Sequence, residues 1–328
     1  LIAGLAGWLN RRATSLMAGS VLLGLIWQDL ARALAPWVLY ASMATIFISA
    51  LRLDERLLIQ WLRRPALPVV IVIWTTLLIP ALALLITRWV PMPQSAASAL
   101  MLITATAPII SVGTYCLLLG TDTELLSLAV LPATALSVLS APLFAAAVGL
   151  PGIEPSAMAL TLLGVVGISL GGAGLVRLKV PLSGVLRIGP VLDVVMLAMV
   201  SVVAVGVTDG LRAVLFESGA LLVYAVVVAL LINGLQQGLS GWVFGLLQPA
   251  RIAASVALVA GFRNMALLLG LTLGRVDRET QLILVAGQLM LFLLPWPMRH
   301  VYQRFGVSAV GTREAREDAS TQSAGGPR

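Results

Sequence analysis

Residues 249–274 read PARIAASVALVAGFRNMALLLGLTLG. The stretch is apolar enough to cross a bilayer, yet Gly261, Phe262, Arg263 and Asn264 stand at its middle. Arg263 lies 12 residues from Arg251 and 12 from Arg275, the charges that mark its two ends. At the helical rise, its guanidinium is roughly 18 Å from either end. A side chain of ~6–7 Å reach cannot snorkel that distance, so the charge must face protein or a hydrated cavity. Because a charge at the midplane costs at least about 2.5–3.5 kcal/mol, an intramembrane arginine marks a functional site unless something else explains it.

The surrounding chain is a membrane protein by composition. Of its 328 residues 59% are hydrophobic and 11% charged, and the mean hydropathy is +1.02; a soluble domain is about 25% charged. Apolar runs of this length are spanning helices rather than alternating barrel strands. The arginines sit singly or in pairs at the ends of apolar runs, which excludes a nucleic-acid-binding face. The single cysteine, Cys116, allows no internal disulfide and no Cys/His metal cluster. The single histidine, His300, lies beside Arg299 at the end of the last apolar run, where it reads as a headgroup contact.

Taken in order, residues 1–12 form a flank ending in Arg11-Arg12, and residues 305–328 a polar tail whose composition predicts disorder. Between them the hydropathy predicts ten spans: 13–29, 35–52, 66–89, 95–119 and 124–149, then 156–176, 184–208, 218–247, 251–273 and 279–303. Pro151 to Pro155 separates a first group of five, 13–149, from a second, 156–303. With the amino terminus inside, twelve Lys and Arg fall on cytoplasmic flanks and five on outer flanks. The bias predicts both termini in the cytoplasm of a cell whose inner membrane holds the chain. Trp27, Trp37, Trp61, Trp89 and Trp296 fall near span ends, as an aromatic belt requires.

An odd number of spans per half inverts the second half relative to the first. Leu117-Leu118-Leu119-Gly120 recurs as Leu267-Leu268-Leu269-Gly270, an offset of 150 that pairs Gly113 with Arg263 and Thr114 with Asn264. The fourth span is also interrupted, by Pro108 followed by Ser111, Gly113 and Thr114. Paired interruptions in matching halves point to a transport site, because backbone groups freed at midplane need protein or a cavity to satisfy them.

These motifs resemble the bile acid:sodium symporter family over about residues 13–305. APIISVGTYCLLLG followed by ELLSLAVLPATALSVLSAPLF resembles the family's fourth and fifth helices, and SVALVAGFRNMALLLGL its ninth. The resemblance implies an all-α membrane protein of ten transmembrane helices in two inverted five-helix repeats, with helices 4 and 9 broken and crossing. It further implies a core of helices 3–5 and 8–10 that moves against a panel of helices 1, 2, 6 and 7.

The departures bear on function. Asn264 matches the family's ninth-helix asparagine, and Ser127 a fifth-helix sodium ligand. The ninth-helix glutamate position holds Val259, the glutamine position Arg263, and the fourth-helix Ser-Asn pair is Gly113-Thr114. Leu131 replaces a second fifth-helix ligand, and Thr75 a third-helix glutamine. Sodium takes several oxygen donors and favours a carboxylate, so the loss argues against two-sodium coupling. No cofactor is assigned; residual sodium binding at Ser127 and Asn264 stays open.

The reading is therefore a secondary-active transporter of a small organic anion, working by alternating access. The anion would bind at Arg263, Asn264, Ser111, Gly113, Thr114 and Gly261, with the guanidinium standing where relatives hold a cation. The plainer alternative is that Arg263 caps carbonyls at the break. Asp193, three residues after Pro190, could pair with Arg263 or be a possible proton carrier for an antiporter; the plainer reading is a near-interface carboxylate paired with Arg187 or a helix amino terminus. A non-transporting receptor or assembly protein is a further alternative, and a lipid-acting enzyme lacks the paired carboxylates such chemistry uses. Asn233 and Gln237 share a helix face and predict helix–helix hydrogen bonding or cavity lining, and Gly164, Gly167, Gly171, Gly172 and Gly174 predict small-residue helix packing or a sliding seam. The partners are the bilayer and an anionic solute; oligomeric state is open.

Overall fold

The computed structural model describes residues 12–54, 65–109, 123–150, 152–272 and 274–294, together with 56, 59, 298, 301 and 302. Every named element among them is helical. In chain order these are α1 (Ala13–Ile26), α2 (Gln28–Leu34), a 3-10 turn (Ala35–Trp37) and α3 (Val38–Leu51), then α4 (Ala66–Ile73), a π turn (Trp74–Leu78), α5 (Ile79–Trp89) and α6 (Gln94–Ala105). They continue with α7 (Thr123–Val148), α8 (Pro155–Lys179), α9 (Leu182–Arg187), α10 (Gly189–Gly206) and α11 (Leu211–Glu217). The last are α12 (Gly219–Gly245), α13 (Ala250–Gly261), α14 (Met265–Thr272) and α15 (Arg278–Leu293).

Six helical runs among the described residues are long and apolar enough to cross a membrane: Gln28–Leu51, Ala66–Trp89, Ala129–Val148, Pro155–Lys179, Gly189–Glu217 and Gly219–Gly245. The chain is a multi-pass membrane protein. Three apolar helices are shorter, Ser15–Ile26, Gln94–Ala105 and Ala250–Gly261, and local chemistry stops two of them. α6 ends where Thr106 turns extended ahead of Pro108, and α13 ends at Gly261. Lipid-facing side chains match this reading. Leu160, Leu163, Leu175 and Leu178 of α8 are exposed, as are Trp27, Trp37 and Trp89 near helix ends. Trp61 and Trp296 lie outside the described residues.

Prolines set several boundaries. Pro36 sits in the first positions of the 3-10 turn and Pro190 in those of α10, where a missing N–H costs nothing. The expected start of the second span at 35 therefore moves back to Gln28, with Pro36 absorbed in the run. Pro80 acts differently. The Ile79 N–H bonds the carbonyl of Trp74, closing a π turn, and Pro80 has no N–H to offer Thr75. The Thr75 carbonyl is left without an intrahelical donor from either residue.

Two groups of helices pack internally. α1, α2–α3, α8 and α10 pack on one another, while α4–α5, α6, α7, α12, α13–α14 and α15 pack around the buried centre. The groups meet chiefly where α7 lies on α8 and α14 on α3. Gly270 makes the second contact possible, since a Cβ there would lie 2.9 Å from Leu39 Cβ. In α8, only Gly172 packs closely, against Phe47. Gly164, Gly167, Gly171 and Gly174 have open space where a Cβ would stand. The expectation of glycine-mediated packing inside the chain is corrected for those four, because their face of the helix turns outward.

Candidate functional site

The α13 helix ends at Gly261, where Gln237 of α12 packs so closely that any Cβ would collide with its side chain. Phe262, Arg263 and Asn264 then run in non-helical conformation before α14 starts at Met265. The backbone groups so freed find partners in the segment after α6. The Asn264 N–H donates to the Ala107 carbonyl at 2.8 Å, and the Ile109 N–H to the Phe262 carbonyl at 2.8 Å. They flank a single antiparallel bridge between Pro108 and Arg263. Two non-helical segments buried in an apolar core thus satisfy each other, as backbone away from water must.

The Arg263 side chain is fully buried. Its Nε donates to Gln236 Oε1 at 2.9 Å, and its Nη1 to the Thr75 carbonyl at 2.9 Å and the Thr106 carbonyl at 3.1 Å. One guanidinium therefore ties together the π turn, the end of α6 and α12. All three acceptors are neutral, and among the described residues Nη2 has no hydrogen-bond partner. Among the described residues no carboxylate forms an ion pair with it. The carboxyl ends of α6 and α13 converge here, so their carbonyl dipoles offset part of the charge. A charge-bearing donor that is buried and unpaired is what most needs an explanation.

Asn264 is used locally: its Oδ1 accepts from the Leu267 N–H at 3.1 Å, capping α14. The Gly261 carbonyl accepts from Asn233 Nδ2 at 2.8 Å. Asn233 in turn accepts from Gln237 at 2.5 Å, and Gln237 Oε1 accepts from the Tyr302 hydroxyl at 3.0 Å. The shared face of Asn233 and Gln237 is thus a hydrogen-bonded brace on the break. Ser111, Gly113 and Thr114 lie outside the described residues, as do Cys116, His300 and the side chain of Ser127.

Asp193 is not brought to Arg263 or Arg187. Its carboxylate pairs with Arg52 Nη1 at 2.7 Å, while Arg52 Nη2 bonds the Gly189 carbonyl at 2.9 Å. The cation expected from sequence neighbours, Arg187, is corrected to Arg52, the residue that ends α3, because helix packing and not chain proximity decides which cation the carboxylate meets. Among the described residues no group of three or more His, Cys, Asp or Glu side chains could hold a metal ion.

Gln236 and the Thr75 and Thr106 carbonyls were not legible as partners of Arg263. The signal that could have found Thr75 is Pro80, five residues on, which removes the donor a π-register carbonyl would use. The chain matches no protein-family model and no curated protein.

Proposed function

We propose that the chain is a secondary-active carrier that moves a small organic anion by alternating access, the anion meeting Arg263 where the two non-helical segments cross. One observation carries this reading: a fully buried guanidinium whose described partners are all neutral and whose Nη2 has no partner among the described residues. An anion at Nη2 supplies both the missing hydrogen-bond acceptor and the missing charge. The architecture we propose is ten transmembrane helices in two inverted five-helix repeats, similar to the bile acid:sodium symporter family. The exchange of hydrogen bonds around Pro108 and Arg263 supports a crossing of the fourth and ninth spans. The two packing groups support a core that moves against a panel. We place the chain in the inner membrane with both termini cytoplasmic, from the bias of its arginines.

The geometry sharpens the chemistry. Nε and Nη1 are engaged, so the guanidinium offers its substrate one nitrogen rather than a two-nitrogen fork. Arg263 both caps carbonyls at the break and presents a positive charge, and the two roles use different nitrogens. With the guanidinium standing among converging carbonyls where relatives place a cation, binding does not call for sodium. A screen of anions against purified protein, read by thermal shift in sodium and in choline buffers, tests this. Anion stabilisation equal in both buffers is expected; stabilisation only in sodium rejects it.

A further inference from the structure

We infer that the carrier is an exchanger: it returns across the membrane only when it carries an anion, so that flux in one direction requires an anion on the other side. The inference rests on the carrier reading above and concerns how its two half-cycles are coupled. The charge at Arg263 is permanent, since a guanidinium does not lose its proton at physiological pH. Its partners within the chain, Gln236 and the carbonyls of Thr75 and Thr106, come from α12, the π turn and the end of α6. These elements pack in the same group of helices as α13 and α14. Those bonds therefore travel with the arginine and are the same on either side of the membrane. They cannot distinguish a loaded carrier from an unloaded one.

Nη2 can. It is the one nitrogen of Arg263 without a partner among the described residues, on a side chain that is fully buried. Alternating access passes through a form closed to both sides, and in that form an unloaded carrier holds a charged donor with neither protein nor bulk water to bond. A bound anion satisfies the same donor and cancels the charge. Leaving a charged donor unpaired costs more than leaving a neutral one, so the barrier is higher for the unloaded return. A tenfold difference in rate needs only about 1.4 kcal/mol between the two barriers. No external cation can remove the asymmetry, because the positive charge is part of the chain.

The test uses purified full-length protein in liposomes loaded with the potassium salt of a labelled anion. Pyruvate, succinate, benzoate and sulfate are each taken in turn, and protein-free liposomes give the background. The outside medium is a zwitterionic buffer with mannitol, and valinomycin lets potassium follow so that net anion efflux is not limited by charge. Release is measured into this anion-free medium, and again after the same unlabelled anion is added outside. At least about tenfold faster release with anion outside is expected. Equal release under both conditions overturns the exchange inference and leaves the carrier reading standing. No release above background with any of the four anions, under either condition, counts against the carrier reading itself and takes the exchange inference with it.

Discussion

Arg263 donates through Nη1 to the carbonyl of Thr75 at 2.9 Å, and Pro80 is the reason that carbonyl is free to accept. The Ile79 N–H is committed to Trp74, and the next residue carries no donor. A helix irregularity in one span and a charge in a distant one thus answer each other. π turns of this kind recur at functional sites because they expose a backbone acceptor without breaking the helix.

Pro80→Ala restores an N–H that can reach the Thr75 carbonyl in π register. It should compete with Arg263, loosen the guanidinium and weaken anion affinity severalfold while the protein still folds. Titrating the thermal shift of wild type and variant with the same anion measures the effect.

Gln236 tests the same cluster from the other side. Gln236→Leu leaves Nε buried without its acceptor and should cost about 1–3 kcal/mol of stability. Gln236→Glu should act differently, placing a carboxylate against Arg263 that satisfies the charge within the protein. Anion binding is then expected to vanish without a fall in thermal stability. Comparing melting temperatures and anion-induced shifts across the three proteins separates the outcomes.

Asp193→Asn should leave anion flux and its pH dependence intact. The pair with Arg52 is about 28–29% exposed, so solvent screening limits its contribution to at most about 1 kcal/mol. Flux in proteoliposomes with and without a pH gradient is the measurement; loss of gradient-driven flux in the variant would return Asp193 to a proton-carrying role.

At the amino-terminal end of α15, Asp277 caps the helix by accepting from the Thr280 N–H at 2.9 Å. Partial burial pushes its carboxyl pKa up, but hydrogen bonds from the Thr280 side chain and from nearby backbone N–H groups outweigh this and hold it below the ordinary value. A lowered folded-state pKa stabilises the protein above the unfolded pKa, about 3.9, and the benefit is lost as pH falls through the folded value. Asp277→Asn should remove that acid-sensitive component, which thermal melts between neutral pH and pH 3 would reveal.

Much of the fold was legible because the bilayer imposes simple rules. Apolar run length located the six long helical runs, and Pro108 and Gly261 marked where α6 and α13 stop. Arg263 stood out because a charge so far from either interface has few ordinary explanations. Its partners were hidden for a physical reason. Two are backbone carbonyls, which any residue type supplies, and the third, Gln236, is one of three amide side chains within five residues. Only the rotation of α12 decides that Gln236 meets Arg263 while Asn233 and Gln237 brace Gly261. The partner of Asp193 was hidden for the same reason: Arg187 is closer in sequence, but Arg52 at the end of α3 pairs with it.

The most direct test of the central claim is the anion-induced thermal shift of wild type and Arg263→Gln, measured side by side in choline buffer across a panel of carboxylates, sulfonates and sulfate. The account predicts that at least one anion stabilises the wild type without sodium and that none stabilises the variant, provided the variant elutes as a folded species. An equal shift in both proteins would contradict it, because the anion would then be bound somewhere other than at the buried guanidinium.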